Sequence, residues 1–410
     1  MYQSDSVWEF DVAGSVKFGT GVVEELPEEA KKRGASSVLV VTDQGLIDAG
    51  IAGQVTEQLE AECTCEIFDG VQPDPSIEIF ERSVDLAREV DPDLIVGVGG
   101  GSSIDVAKTT SVVAEHGGDI LEYVAPPIGG GKPVPGRSIP SIAVPTTSGT
   151  GSETSPVTVL SLPERDLKVG ISSRYQYPDL ALVDPLLTVS LPPSHTAYSG
   201  MDALSHAIEA YVTRRFDAKE RPGNPLDRPD YGGRTIVTDQ FARTSIELIA
   251  ANLRRAVDNG RDIEARRNMS LASLLAGVAF TNAGLGATHA AALSVAGEHD
   301  TPHGLTVALL LPEVMRFNAS SAPDRFGEIA SLLGEHVQHD SVDEAAEKAA
   351  TAVQKLSDDV GIPSGFVELG VEKDEITVLA ENAMQLERLL AGNPRRVERE
   401  DLEEIFRRSL

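Results

Sequence analysis

Over the first 190 residues, short apolar runs alternate with stretches of helical periodicity. The runs at 37–41, 63–68, 93–98, 141–144 and 180–183 read as strands, and 77–90 carries helical spacing between two of them. That alternation predicts a mostly parallel sheet with helices on its faces. An early segment, 8–17, is expected to add an outer strand. The segment 157–171 (VTVLSLPERDLKVGI) reads as a hairpin around Pro163-Glu164-Arg165-Asp166. After Asp184-Pro185 the strand signals nearly vanish. Helices are expected over 196–212, 235–257, 263–280, 343–358 and 375–390, punctuated by Gly and Pro. There is no internal repeat and no low-complexity tract. The pattern therefore predicts an α/β domain over 1–190 and an all-helical domain over 191–410, with a ligand site expected in the cleft between them.

Length and composition agree with two domains: 410 residues, 41% hydrophobic and 24% charged, enough to bury sizeable cores. No apolar run reaches the ~18 residues of a membrane span. The N-terminus, MYQSDSVWEF, has neither a basic n-region nor an apolar h-region, so no secretory signal is expected. Charge narrows the partners. Asp plus Glu number 64 against 35 Lys plus Arg, a net charge of −29. Such a surface repels phosphate backbones and anionic lipid, which argues against nucleic acid and membrane partners. Only ten of the cations are lysines. Excess carboxylate with scarce Lys is expected of a halophilic protein, whose self-repulsion a salt-rich cytoplasm screens. Cys63 and Cys65, the only cysteines, are two residues apart on an expected strand and poorly placed to pair, which fits a reducing, cytoplasmic setting.

Four motifs carry chemistry. Gly99-Gly100-Gly101-Ser102-Ser103-Ile104-Asp105-Val106-Ala107-Lys108 follows an apolar strand and opens a helix. Its glycines admit close backbone approach, and free helix N–H groups can cradle a pyrophosphate; a plain strand–helix turn is the alternative. Pro145-Thr146-Thr147-Ser148-Gly149-Thr150-Gly151-Ser152-Glu153 follows another strand and can surround a nucleotide with small hydroxyls, or simply cap a helix. Asp43, at the tip of an early strand, can accept from ribose hydroxyls and would repel a 2′-phosphate, favouring NAD over NADP; its alternative is a capping turn. The fourth is a metal set. Asp202 and His206 are four apart on an expected helix and share a face, and His289 and His303 are glycine- or proline-flanked histidines in an apolar region of a chain with only eight. One carboxylate and three imidazoles suit Fe(II) or Zn(II).

In order and spacing, GGGS-x-x-D-x-x-K, PTTSGTGSE, SGMDALSHAIEAY and PHG resemble the iron-containing (metal-dependent) alcohol dehydrogenase family over nearly the whole chain. The resemblance implies an N-terminal dinucleotide-binding α/β domain and an all-α C-terminal domain, the fold shared with dehydroquinate synthase. It implies the metal ligands Asp202, His206, His289 and His303. It implies a cofactor set of Asp43, Gly100, Gly101, Ser102, Thr146, Thr147, Thr150 and Lys168. Two positions depart from the family pattern. Asp74-Pro75 stands where many members have Asn-Pro, and Leu293 stands where many carry a further His assigned to proton transfer. His299 is nearby in sequence and is a candidate substitute for that His, against the more ordinary reading of an exposed turn His. The segments Pro126–Pro133 and Gly223–Tyr231 resemble the hydroxyacid–oxoacid transhydrogenase branch, which passes a hydride from a 4-hydroxy acid such as 4-hydroxybutyrate to 2-oxoglutarate through bound NAD.

The expected activity is reversible hydride transfer between an alcohol and its aldehyde or ketone, with NAD and Fe(II) or Zn(II) as cofactors. The transhydrogenase is its alternative within the family; a non-redox lyase of the dehydroquinate synthase type is the alternative of another class. A carboxylate substrate would need a cation, with Arg174, Arg214, Arg215, Arg228 and Arg234 as candidates. A homodimer or larger homo-oligomer is the default for an enzyme of this size.

Overall fold

The computed structural model describes residues 7–165, 167–219, 222–224, 228–299 and 301–410. Its contacts divide the chain into two units, Val12–Leu191 on one hand and Pro192–Leu410 with the residues up to Asp11 on the other.

The first unit holds strands β1 (Val16–Phe18), β2 (Ser37–Asp43), β3 (Thr64–Val71), β4 (Leu94–Gly99), β5 (Ser141–Pro145), β6 (Val157–Leu162), β7 (Leu167–Ser172) and β8 (Leu180–Val183). Six of them form one sheet in the order β1-β8-β5-β4-β2-β3, parallel at every pairing. Its inner strands are apolar on both faces. Leu39, Val41 and Ile95 enter one core, while Val38, Val40, Leu94, Val96 and Val98 enter the other. This is the expected sequence of a parallel sheet covered on both sides. From β2 the chain first adds β3 on one side and then crosses to place β4 on the other. The direction of winding thus reverses between the C-terminal ends of β2 and β4, the place where open α/β sheets receive ligands. The expected hairpin is β6–β7, antiparallel from Val157↔Ser172 to Leu162↔Leu167. Of its turn residues, Asp166 lies outside the described residues.

The early outer strand is shorter than expected. Only Val16–Phe18 pairs, parallel to β8. The preceding residues turn instead to the helical unit. Phe10 stacks on Phe241 with ring centroids 5.9 Å apart. The Asn282 side chain takes the place of a strand partner, with its Oδ1 accepting from Asp11 N at 2.7 Å and its Nδ2 donating to Asp11 O at 2.8 Å.

In the helical unit, the helix Pro193–Val212 packs against Ile236–Asp258, Ile263–Ala283 and His303–Ala319. It is buried on every side from Gly200 to Val212, as a central helix must be. The expected helix over 375–390 is instead two, Ile376–Met384 and Glu387–Leu390. Among the described residues no single helix is long and apolar enough to cross a membrane.

Candidate active site

Pro193 at the first turn starts the central helix, and Asp202 and His206 follow one turn apart on one face. Beyond Ala283 the chain bends by 100° and enters the helix Ala287–Glu298, whose third residue is His289. His303 opens the next long helix, directly after Pro302. Its neighbour Gly304 lies so close to the central helix that a Cβ there would be 2.4 Å from Tyr198 O, so only glycine lets the His303 helix approach.

These elements surround one carboxylate oxygen. The Nε2 atoms of His289, His303 and His206 lie 3.6, 3.7 and 3.9 Å from Asp202 Oδ1. Ligand atoms of Asp202, His206 and His289 are all within 4.8 Å of one another. Such separations are long for hydrogen bonds but near the roughly 3.4 Å edge of a tetrahedron with bonds of about 2.1 Å. Asp202 Oδ1 and His289 Nε2 are buried with no hydrogen-bond partner. Burying such atoms unpaired is costly, and a divalent cation would satisfy both. The residues therefore fit a metal ion of the Fe(II) or Zn(II) kind. The His206 ring is clamped between Phe280 and His289, with centroids 4.4 and 4.6 Å away.

Electrostatics follow the same geometry. Burial would raise the Asp202 pKa, but the imidazoles of His206, His289 and His303 hold it well below the usual carboxylate range. Burial pushes His206 down to about 4, against the pull of Asp202. Burial also opposes protonation of His289, yet the Glu209 and Asp202 carboxylates outweigh it and lift it to about 9.

Glu209 received no role from the sequence. It lies seven residues after Asp202 and three after His206, on the same helix face, a spacing that could have singled it out. Its Oε2 is 2.5 Å from His289 Nδ1. Its Oε1 accepts from Thr288 N at 2.8 Å.

In the α/β unit, the first three motifs gather at the C-terminal edge of adjacent strands. Val41 of β2 is level with Gly97 of β4, and Gly99 of β4 with Pro145 of β5. Thr146 N donates to Gly99 O at 2.9 Å. A Cβ on Gly101 would sit 2.8 Å from Thr150 Cγ2, and one on Gly100 would sit 3.5 Å from Thr147 Cγ2. The two threonines thus lie against the glycine turn, and Ser102 stands in the first turn of the helix Gly101–His116. Asp43 caps a short helix, its Oδ1 accepting from Leu46 N at 3.0 Å, at the β2 side of the same edge. Beneath the turn, Lys108 is fully buried. It pairs with Asp105 at 2.9 Å and donates to Ser152 Oγ at 2.8 Å and Val157 O at 2.6 Å. Asp105 Oδ2 accepts from Val159 N at 2.9 Å. The Asp105–Lys108 pair ties the glycine-turn helix to the threonine-rich segment, a role the sequence alone did not disclose.

The structure gives partners to several of the expected residues. Lys168, expected among the cofactor contacts, directs its ammonium to Asp74 Oδ1 at 2.7 Å, so the family departure at Asp74 and the cofactor candidate are partners. His299 directly follows the helix Ala287–Glu298, ten residues and roughly 15 Å beyond His289 along the axis, and its Nε2 is 3.0 Å from Glu375 Oε1. Of the arginines, Arg215 pairs with Asp217, Arg228 with Glu9 and Arg234 with Asp239. Leu293 sits one turn beyond His289 and packs with the apolar core.

The chain matches known proteins from end to end. Residues 13–185 match the family model of iron-containing alcohol dehydrogenase, and 233–410 match the C-terminal part of the Fe-containing alcohol dehydrogenase family. The NAD-dependent methanol dehydrogenase of Bacillus methanolicus is 38% identical over 96% of this chain and 97% of its own length. The mitochondrial hydroxyacid–oxoacid transhydrogenase of Xenopus tropicalis is 35% identical over 98% of this chain and 90% of its own. The crystal structure of a 1,3-propanediol oxidoreductase superimposes with a TM-score of 0.90 at 36% identity, covering 99% of this chain and all of that one. With motif order, sheet topology and buried donor set in agreement, the chain belongs to the iron-containing alcohol dehydrogenase family.

Proposed function

We propose that this protein is a metal-dependent, NAD-linked alcohol dehydrogenase that moves a hydride reversibly between an alcohol and its aldehyde or ketone. The observation that carries the reading is the pair of orphaned buried atoms, Asp202 Oδ1 and His289 Nε2, with two further imidazoles around the same oxygen. In this reading Asp202, His206, His289 and His303 hold the ion, and the helical unit is the metal-binding domain. When bound, a divalent ion there supplies Lewis acidity to a substrate oxygen. Asp43, Gly100, Gly101, Ser102, Thr146, Thr147 and Thr150 hold NAD, and the α/β unit is its binding domain. NAD supplies the hydride acceptor. The glycine turn accepts the diphosphate at the helix N-terminus without side-chain crowding. Asp43 keeps Oδ2 for ribose hydroxyls and repels a 2′-phosphate. Lys168 reaches the cofactor only alongside Asp74. Phe280, stacked on the His206 ring, gives the metal set an apolar flank, which suits a neutral alcohol better than a hydroxy acid.

A second reading, the transhydrogenase, draws on Leu293 and on the transhydrogenase relative. The net charge of −29 supports a halophilic protein, and we propose a cytoplasmic homo-oligomer. The test is NADH absorbance with metal-loaded protein in high salt, using primary alcohols, 1,2-diols and 4-hydroxybutyrate, each with and without 2-oxoglutarate. Direct NADH formation that Asp202→Ala abolishes supports the dehydrogenase. A product formed only when 2-oxoglutarate is present, without free NADH, replaces it with the transhydrogenase.

A further inference from the structure

We infer that Glu209 is a positioning residue that fixes His289 as a metal ligand through Nε2 alone; the inference rests on the metal-centre reading above. The helix Ala287–Glu298 starts without a capping side chain of its own. The first N–H groups of any helix lack intrahelical partners and are usually satisfied by a capping side chain. Here the residue before the helix is Gly286, which has none to offer. Two remote side chains serve instead. Asn393 Oδ1 accepts from Ala287 N at 3.2 Å, and Glu209 Oε1 accepts from Thr288 N at 2.8 Å. A Cβ on Gly286 would lie 2.8 Å from Asn393 Oδ1 and 3.1 Å from Glu209 Oε1, so glycine is what lets them come so near.

The second oxygen of Glu209 is then committed as well. Oε2 faces His289 Nδ1 at 2.5 Å, and a carboxylate can only accept there, so Nδ1 carries the proton. In the neutral ring the tautomer follows: Nε2, the nitrogen that points at Asp202 Oδ1, is the one left bare for an ion. Glu209 stands on the same helix as Asp202 and His206, so one rigid element holds two ligands and orients a third.

An amide cannot replace this carboxylate. Two donors, Thr288 N and His289 Nδ1, face two acceptors. Glutamine offers one acceptor and one NH2. If its NH2 faces Nδ1, the ring must move its proton to Nε2, onto the metal side. If its NH2 faces Thr288 N, two donors meet in a buried site.

The experiment measures Zn(II) affinity of the full-length protein, stripped of metal and titrated against a chelating competitor. Glu209→Gln should bind Zn(II) roughly 10- to 100-fold more weakly than wild type. Asn393→Ala removes the other cap acceptor without touching His289 and should bind Zn(II) as wild type does. Equal losses in the two variants, or none in Glu209→Gln, overturn the positioning role. Asp202→Ala is the reference: if it too keeps wild-type affinity, the metal-centre reading fails rather than this inference alone. A measurement on the unaltered protein covers the case in which Glu209→Gln does not fold. Nitrogen-15 spectra of the Zn(II)-loaded protein should show His289 protonated at Nδ1 and metal-bound at Nε2, and metal at Nδ1 overturns the inference.

Discussion

Burial alone would push the Asp202 carboxyl towards its protonated form, and the imidazoles around it hold it well below the usual carboxylate range. The same cluster splits its histidines: His206, near 4, is neutral at pH 7, while His289, near 9, is protonated in the metal-free protein. A metal ion must therefore displace a proton from His289. The affinity for Zn(II) should rise about tenfold per pH unit between about pH 6 and 8, and a chelator competition series that stays flat contradicts it. Single residues were legible to different degrees. Asp202 and His206 follow from a four-residue spacing on a helix. His289 and His303 follow from the scarcity of histidine and from their Gly and Pro neighbours. Glu209 was hidden because a Glu within a helix has many ordinary uses, and only the fold brings it to His289 Nδ1. For His299, proximity in sequence is not proximity along a helix axis.

At the scale of elements, the segment after β5 carries a second charge problem. Glu153, 3% exposed, is pushed up to about 7 by burial, against the opposing pull of Lys108. Its folded pKa lies above the ordinary 4.5, so the stability it contributes as a neutral acid is complete below that value and is lost as pH rises through about 7. Glu153→Gln stays neutral throughout. It should gain up to about 3 kcal/mol on wild type between about pH 5 and 8, read as urea unfolding free energies, and a constant difference across that range contradicts the account. The inner strands were legible because both faces are buried and the runs are short and apolar. The helices carrying His289 and His303 were not. Ala287–Glu298 is small and apolar on nearly every side, and His303–Ala319 contains Pro312, so neither shows a clean amphipathic period. The outer strand was overextended because 8–17 looks β-like, while Phe10 finds its partner in Phe241.

Over the whole molecule, the net charge of −29 works against the folded state in dilute buffer. The melting temperature should climb as KCl is raised from about 0.1 M, where the screening length is about 10 Å, to about 1 M, where it is about 3 Å. A melting temperature that does not move over this range contradicts the halophilic reading. The order of the motifs disclosed the family and the two-part fold. What it withheld is the partnering of distant residues, such as Lys168 with Asp74 and Glu209 with His289, which depends on loops and helix ends that carry no periodic signal. The central claim is that the Asp202, His206, His289 and His303 cluster holds the ion on which alcohol oxidation depends. Its most direct test follows NADH formation from an alcohol and NAD while Fe(II) is added back to chelator-stripped protein. The account predicts no turnover in the stripped protein, recovery that saturates at one ion per chain, and no recovery in Asp202→Ala. Turnover in the stripped protein equal to that of the loaded protein would contradict it.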